Sequence, residues 1–156
     1  MSPTVISGRC ACGKISWSST KAPEELDFCY CSTCQQTSGA PFAPWLSTTK
    51  SAISWNGRIS SWRPSIGDGD TSVSTRFFCA GCGSCMAMQY DFYPDKTYLS
   101  AGTATEGADT IPTVGMHIYL KRAPRWYRIP EDGGARFDEF PEGFGEALKK
   151  HLEGRS

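Results

Sequence analysis

Eight cysteines, gathered into three short clusters, constrain this chain more than any other feature of its sequence. The clusters are Cys10 and Cys12, then Cys29, Cys31 and Cys34, then Cys79, Cys82 and Cys85. Cysteines two apart in an extended chain point to the same side, and a C-x-x-C pair spans a tight turn, so each cluster can turn several sulfur atoms toward one ion. The alternatives are buried reduced cysteines or an adventitious disulfide. The paired spacings favour metal binding over both.

The rest of the composition narrows the setting of these cysteines. The sequence does not open with a basic segment followed by an apolar run, so we expect the protein to stay in the cytoplasm, where clustered cysteines are metal ligands more often than disulfides. A length of 156 residues predicts one domain, 1–156. With 16 basic and 16 acidic residues and no long run of either sign, nucleic acid is not an expected partner. No stretch approaches the roughly 20 apolar residues that cross a membrane.

Short apolar runs separated by turn residues predict a mainly β fold. The chain has 16 glycines and 10 prolines, which interrupt brief segments rich in aromatic and β-branched residues. Residues 53–55 and 59–62 alternate polar and apolar around a turn-like Asn-Gly-Arg, which predicts a hairpin. Near the end, Phe144, Leu148 and Leu152 repeat at helical spacing. They predict a short amphipathic helix that packs over a sheet.

Two of the clusters match each other and predict one closed site. Cys12 and Cys82 are each followed by a glycine, which permits the positive φ that lets a chain curl around a metal. We expect a structural zinc with tetrahedral coordination by Cys10, Cys12, Cys79 and Cys82. Such a zinc can contribute on the order of 10–16 kcal/mol, comparable to the whole stability of a domain. Without metal, the protein should not fold stably.

The remaining cluster offers three thiolates, and a zinc with three protein ligands and one exchangeable position is the arrangement of a catalytic site. Cys29, Cys31 and Cys34 are therefore the candidate catalytic residues. An alternative is that Cys85 completes a second structural site. Cys85 is also the single candidate for a thiol redox role, which would need a resolving partner. Tyr30 lies between two ligands and is a candidate proton donor.

These motifs, in this order, resemble those of the glutathione-dependent formaldehyde-activating enzyme (Gfa) family, also called the centromere-protein-V domain family, within the Mss4-like fold. The resemblance covers most of the chain. It rests on residues 8–13, 29–34, 38–42, 78–84, 117–120 and 123–126.

The resemblance implies several coiled antiparallel β-sheets built around two zinc ions, one structural and one catalytic, with the same two ligand groups. It implies that glutathione and formaldehyde combine to S-hydroxymethylglutathione, a carbon–sulfur lyase-type reaction. The implied partners are a small thiol and an aldehyde, and a homodimer is left open. The alternative function is a zinc-stabilised binding module of the same fold without catalysis.

The chain departs from the family pattern at two places. Gln35 and Gln36 stand where many members carry basic residues, and a site for the carboxylates of glutathione is expected to keep cationic partners. Cys85 stands where the family commonly has a residue that is not a ligand. The first departure bears on which thiol is bound, and the second on whether the catalytic zinc keeps an open position.

Overall fold

Short strands make up most of the regular structure in the computed structural model, which describes residues 2–64 and 73–155. Two α-helices accompany them, α1 (Ser32–Ser38) and α2 (Glu142–Glu153). The strands are β1 (Ile6–Arg9), β2 (Ser16–Ser19), β3 (Glu25–Cys29), β4 (Ala43–Thr49), β5 (Ile53–Asn56), β6 (Ser60–Trp62), β7 (Ser74–Phe78), β8 (Cys85–Tyr90), β9 (Lys96–Ser100), β10 (Ala104–Glu106), β11 (Val114–Ile118) and β12 (Ala135–Arg136).

The strands form two sheets, which confirms the predicted mainly β fold. The smaller sheet has the order β10-β1-β2-β5 and is antiparallel throughout. The larger has the order β12-β11-β3-β4-β9-β8-β7-β6. Its pairs are antiparallel except at β11, which runs parallel to both β3 and β12. This strand arrives from a distant part of the chain, so no turn dictates its direction.

The larger sheet is buried on both faces, which divides the core into two clusters. On one face, Leu46 and Leu99 pack with Ile6 and Trp17 of the smaller sheet. The other face carries a second cluster, which Phe144 of α2 covers. The layers are therefore the smaller sheet, the larger sheet and α2. Strands buried on both sides bury more apolar area per residue than strands with one wet face.

The predicted hairpin is wrong, because its two strands belong to different sheets. β5 pairs with β2 in the smaller sheet, whereas β6 pairs with β7 in the larger one. The chain changes sheets at Gly57, whose φ of +96° is open to glycine and strained for other residues. Trp55 pairs across the sheet with Trp17. A turn signal shows that the chain reverses or bends, but long-range packing decides which strand becomes the partner.

The predicted C-terminal helix is confirmed as α2. The ring of Phe144 lies 4.9 Å from that of Tyr90 on β8, and Leu148 packs against the same cluster. Leu152, at the end of the apolar stripe, is 41% exposed. Within residues 2–64 and 73–155, none of the helices has the length and apolar character to cross a membrane.

Candidate metal centres

The segments that begin at Cys10 and at Cys79 form similar turns. Cys10 follows β1 and Cys79 follows β7. The N–H of Gly13 donates to the carbonyl of Cys10 at 3.0 Å, and that of Gly83 donates to the carbonyl of Cys79 at 2.7 Å. The two glycines have φ of 79° and 77°. The predicted use of glycine after the second cysteine of each segment is confirmed.

The sulfur atoms of these turns converge at spacings that suit a tetrahedral ion. Cys10 Sγ lies 3.6 Å from Cys12 Sγ, which lies 3.7 Å from Cys79 Sγ. All four sulfurs, that of Cys82 included, are within 4.8 Å of one another. Zinc with four bonds of about 2.3 Å places its sulfurs about 3.8 Å apart. The residues present therefore fit a metal, and the two matched segments meet as predicted.

Ser84 ties the two turns together. Its hydroxyl accepts a hydrogen bond from the N–H of Ala11 at 3.0 Å and lies 3.2 Å from Cys82 Sγ. Hydrogen bonds from the side chain and backbone of Ser84 lower the pKa of Cys82 to about 5. Because the thiolate is the form that ligates a metal, this environment suits a ligand.

The three-cysteine group of Cys29, Cys31 and Cys34 is assembled where β3 passes into α1. Cys29 is the last residue of β3, and Cys31 is the N-cap of α1, whose Sγ accepts from the N–H of Cys34 at 3.4 Å. The three sulfurs lie within 4.8 Å of one another. Cys29 and Cys34 are buried and Cys31 is half-buried. The strand end and the first helical turn thus direct three thiols to one point, and this group also fits a metal.

Arg76 on β7 supplies a positive charge to this group. Its Nη1 donates to Cys34 Sγ at 3.4 Å, and the residue is only 6% exposed. Hydrogen bonds from the thiols of Cys29 and Cys31, and then the charge of Arg76, hold the pKa of Cys34 well below its ordinary value. No motif in the sequence distinguishes Arg76 from other arginines, so the sequence analysis missed it.

Cys85 lies outside both groups. It packs against the second core cluster, but its sulfur is not part of the set within 4.8 Å. Burial raises the pKa of its thiol, with the charge of Arg76 opposing. Within the described part of the chain, the three-cysteine group therefore offers three ligands, as its spacing predicts. That these three are catalytic stays a prediction.

A cavity of about 330 Å³ lies on the same face of the larger sheet as the three-cysteine group. Trp45, Tyr90 and Ile118 line this cavity and belong to the buried cluster that contains Cys29 and Cys34. Phe144 of α2 lines it from the other side. The size suits a small organic molecule. The cavity therefore shares wall residues with the buried cluster of Cys29 and Cys34, although none of the described cysteines lines it.

Asp27 is an acidic side chain in the wall of this cavity. It lies two residues before Cys29 on β3, and both point to the same face of the sheet. Burial, and secondarily the charge of Glu25, raises the pKa of Asp27 to about 7. The sequence analysis did not single out this residue. The one available signal was an acidic residue within a strand that ends in a ligand.

Tyr30 lies between Cys29 and Cys31, and its side chain points to the opposite face of the sheet from Cys29. Its hydroxyl lies 2.9 Å from His117 Nδ1, and His117 Nε2 lies 2.9 Å from the carboxylate of Asp132. Since a carboxylate only accepts, Nε2–H of His117 donates to Asp132. Burial raises the pKa of Tyr30 to about 12. Tyr30 does not line the cavity described above, so its position does not favour the predicted role as proton donor.

Gln35 also fixes the segment that carries Cys29 and Cys31. Its Nε2 donates to the carbonyl of Tyr30 at 2.7 Å and to that of Arg122 at 2.8 Å. With both donor hydrogens used by backbone, Gln35 joins α1 to the segment after β11. It is a structural residue in this chain.

Comparisons with known proteins agree with this architecture. The model of the glutathione-dependent formaldehyde-activating enzyme family matches residues 5–122, well over half of the chain. The chain is also similar to a crystal structure of a Rhodobacter sphaeroides protein, with a TM-score of 0.53 and 17% sequence identity. That similarity covers 84% of this chain and 98% of the other, and it supports the fold. No curated protein matches the sequence.

Proposed function

Because the chain belongs to the glutathione-dependent formaldehyde-activating enzyme family, we propose that it joins a thiol to formaldehyde or a similar small aldehyde beside Cys29, Cys31 and Cys34. The thiol loses its proton, its sulfur bonds to the carbonyl carbon, and the carbonyl oxygen becomes a hydroxyl. The product is a hemithioacetal, and the reverse reaction releases the thiol and the aldehyde. The reaction is that of a carbon–sulfur lyase of the S-(hydroxymethyl)glutathione synthase type.

One observation carries this proposal: three thiols converge in the buried cluster that also forms the wall of a cavity, and no fourth described ligand closes the group. Cys29, Cys31 and Cys34 would hold a zinc ion. When bound there, zinc supplies a Lewis acid that promotes thiol deprotonation or polarises a carbonyl. The separate group of Cys10, Cys12, Cys79 and Cys82 would hold the second, structural zinc.

The chain's own residues prepare the site for this chemistry. Arg76 offsets part of the negative charge of three clustered thiolates, which makes their shared ionisation less costly. Trp45 and Tyr90 wall the cavity, so a bound substrate exchanges water for aromatic surface. Tyr30 and Gln35 hold the loop that positions Cys29 and Cys31.

Metal stoichiometry of matched variants tests this assignment. Cys31→Ser should lose one of two zinc ions and the lyase activity yet remain folded, because serine is a good N-cap for α1. Cys10→Ser should unfold, since it disrupts the structural site. Cys85→Ser is the matched control, because this half-buried thiol lies outside both groups and should keep two zinc ions.

Activity is read by proton NMR of formaldehyde mixed with thiols, with and without protein. The native protein and Cys85→Ser should both accelerate adduct formation above the uncatalysed rate. Equal unfolding of Cys31→Ser and Cys10→Ser would instead mean two structural sites. Zinc at both groups without any acceleration would favour the binding module.

A further inference from the structure

Two buried polar groups on the wall of the cavity have no hydrogen-bond partner. Asp27 is 6% exposed and Trp45 is 2% exposed, and both line the cavity. Asp27 Oδ1 and Trp45 Nε1 are buried without a partner in the described part of the chain. The two residues are directly paired across β3 and β4, so their side chains lie next to each other. An acceptor and a donor without partners therefore belong to two neighbouring residues of the cavity wall.

Leaving such groups unmatched is expensive unless a ligand satisfies them. A buried polar atom without a partner costs about 1–3 kcal/mol, and more when it is charged. Native structures keep few of them, and those that persist call for a functional reason. A ligand in the cavity that donates to Asp27 and accepts from Trp45 would remove both costs.

The charge of the wall indicates which donor fits. Three carboxylates line the cavity, those of Glu24, Glu25 and Asp27, against the single cation of Lys96. Lys96 is already ion-paired with Glu24. Glu25 and Asp27 are left without a cationic partner among the described residues. This wall attracts a positive group and repels carboxylates.

The distance from this wall to the ligand group suits a short aminothiol. Asp27 and Cys29 are two residues apart on one strand, which places them roughly 7 Å from each other along β3. A thiol and an ammonium on a stem of two or three carbons span that order of distance. The aromatic rings of Trp45 and Tyr98 in the same wall also favour an ammonium over a carboxylate.

We propose that the cavity selects a thiol that carries an ammonium group, which Asp27 binds, over thiols that carry carboxylates. Trp45 Nε1 then donates to the oxygen of the aldehyde or of the product hydroxyl. The inference rests on the proposed function, since it names the substrate class of the same site. Glutathione carries two carboxylates to one ammonium, and Gln35 is committed to backbone carbonyls. The charge of the wall therefore disfavours glutathione.

Isothermal titration calorimetry of zinc-replete protein without aldehyde tests this selection directly. The probes are cysteamine, 2-mercaptoethanol and 3-mercaptopropionate, which share a two-carbon stem and differ in end-group charge. Native protein should bind cysteamine about tenfold or more tightly than 2-mercaptoethanol, and 3-mercaptopropionate most weakly. In Asp27→Asn the preference for cysteamine over 2-mercaptoethanol should fall at least fivefold. Differences in thiol acidity cancel, because both proteins meet the same thiols.

Asp109→Asn is the matched control, since Asp109 is exposed and does not line the cavity, and it should keep the native preference. Glu25→Gln at the cavity rim is a second variant, which should lower the preference by a smaller factor than Asp27→Asn. The inference is overturned if native protein binds the three thiols equally or not at all, or if Asp27→Asn keeps the native preference while folded. Adduct formation is measured separately. Selection without catalysis would refute the proposed function alone, and catalysis without selection would refute this inference alone.

Discussion

At the scale of the residue, two buried ionisable side chains differ in whether another group compensates them. Arg76 and Asp27 are each 6% exposed, and burying a charge is costly unless another group compensates it. Arg76 is compensated by the thiol of Cys34 and by the ring of Trp45, 5.6 Å from its guanidinium carbon. Asp27 has no such partner within the described residues. The first charge serves the metal group, and the second is free for a ligand.

Replacing Arg76 should weaken metal binding at one group only. Arg76→Met keeps the length of the side chain but removes the charge beside Cys34, and residues that support ligands typically contribute about 10–100-fold to metal affinity. Zinc competition with a chromophoric chelator should show one of two ions released that much more easily. Arg76→Lys should recover part of the loss. Equal release of both ions, or no change in either, would contradict this role for Arg76.

At the scale of the element, α2 is held by an apolar face and by charges at its end. The ring of Phe144 packs 4.9 Å from that of Tyr90 and 5.1 Å from that of Phe92. Beyond the last turn, Arg155 pairs with Asp91 at 2.9 Å, and Asp91 also pairs with Arg63 at 2.6 Å. Because Phe144 lines the cavity, the stability of this helix also sets the shape of the candidate binding site.

The Asp91 contacts predict a pH dependence with a defined sign. The hydrogen bond from Arg63, and then its charge and that of Arg155, lower the pKa of Asp91. A carboxyl with a lowered folded-state pKa stabilises the protein above its unfolded pKa of about 4, and this contribution is lost as pH falls through the folded value. Asp91→Asn should therefore cost roughly 0.5–1 kcal/mol at neutral pH, discounted for solvent screening. The cost should shrink at high salt, which weakens exposed ion pairs while the thiolate ligands stay deprotonated and keep the metal.

Urea unfolding of native protein and Asp91→Asn at low and at high salt, both at neutral pH, measures this difference. Asp95→Asn is the control, because Asp95 is exposed and only its backbone carbonyl is engaged. It should leave the free energy of unfolding nearly unchanged at either salt concentration. A cost of Asp91→Asn that stays the same at high salt would mean that it arises from packing and not from charge.

At the scale of the whole molecule, the four-cysteine group joins the two sheets. Cys10 and Cys12 belong to the turn between β1 and β2 of the smaller sheet, and Cys79 and Cys82 to the turn between β7 and β8 of the larger one. The sulfurs of Cys10 and Cys79 are also part of the apolar cluster between the sheets. One ion would therefore fix the relative placement of two layers. The prediction of a single domain is consistent with this role and stays a prediction.

Removing metal should separate these layers before it disturbs the rest. A structural zinc contributes on the order of 10 kcal/mol, so chelation should raise amide hydrogen exchange first in β1, β2, β7 and β8. Exchange with mass-spectrometric detection on native protein, with and without chelator, measures this order. The Cys31→Ser variant, which keeps the four-cysteine group, should need the same chelator concentration to lose protection in those strands. Unchanged protection after both ions are removed would contradict a structural role for the metal.

Local sequence was sufficient for the ligand groups and for the class of fold. Cysteines at C-x-C and C-x-x-C spacing turn toward one ion through short-range geometry, so each cluster could be recognised directly. The glycines after Cys12 and Cys82 then predicted that these two clusters share one ion. The helical stripe from Phe144 predicted α2 for the same reason. The hairpin at residues 53–62 failed because turn residues specify a bend and not the strand that will lie beside it. The direction of β11 was equally open.

The sequence by itself determined which cysteines of one cluster can turn toward one ion and that short strands would follow them, because both depend on neighbours along the chain. That Cys10 and Cys12 meet Cys79 and Cys82 is a long-range contact, which only the matched glycines after Cys12 and Cys82 indicated. Tertiary structure alone decided that Arg76 would reach Cys34, that Asp27 would face Trp45 across two strands, and that a cavity would remain beside them. These contacts join residues far apart in sequence, and packing of both sheet faces fixes them. The spacing of residues along the chain does not predict these long-range contacts.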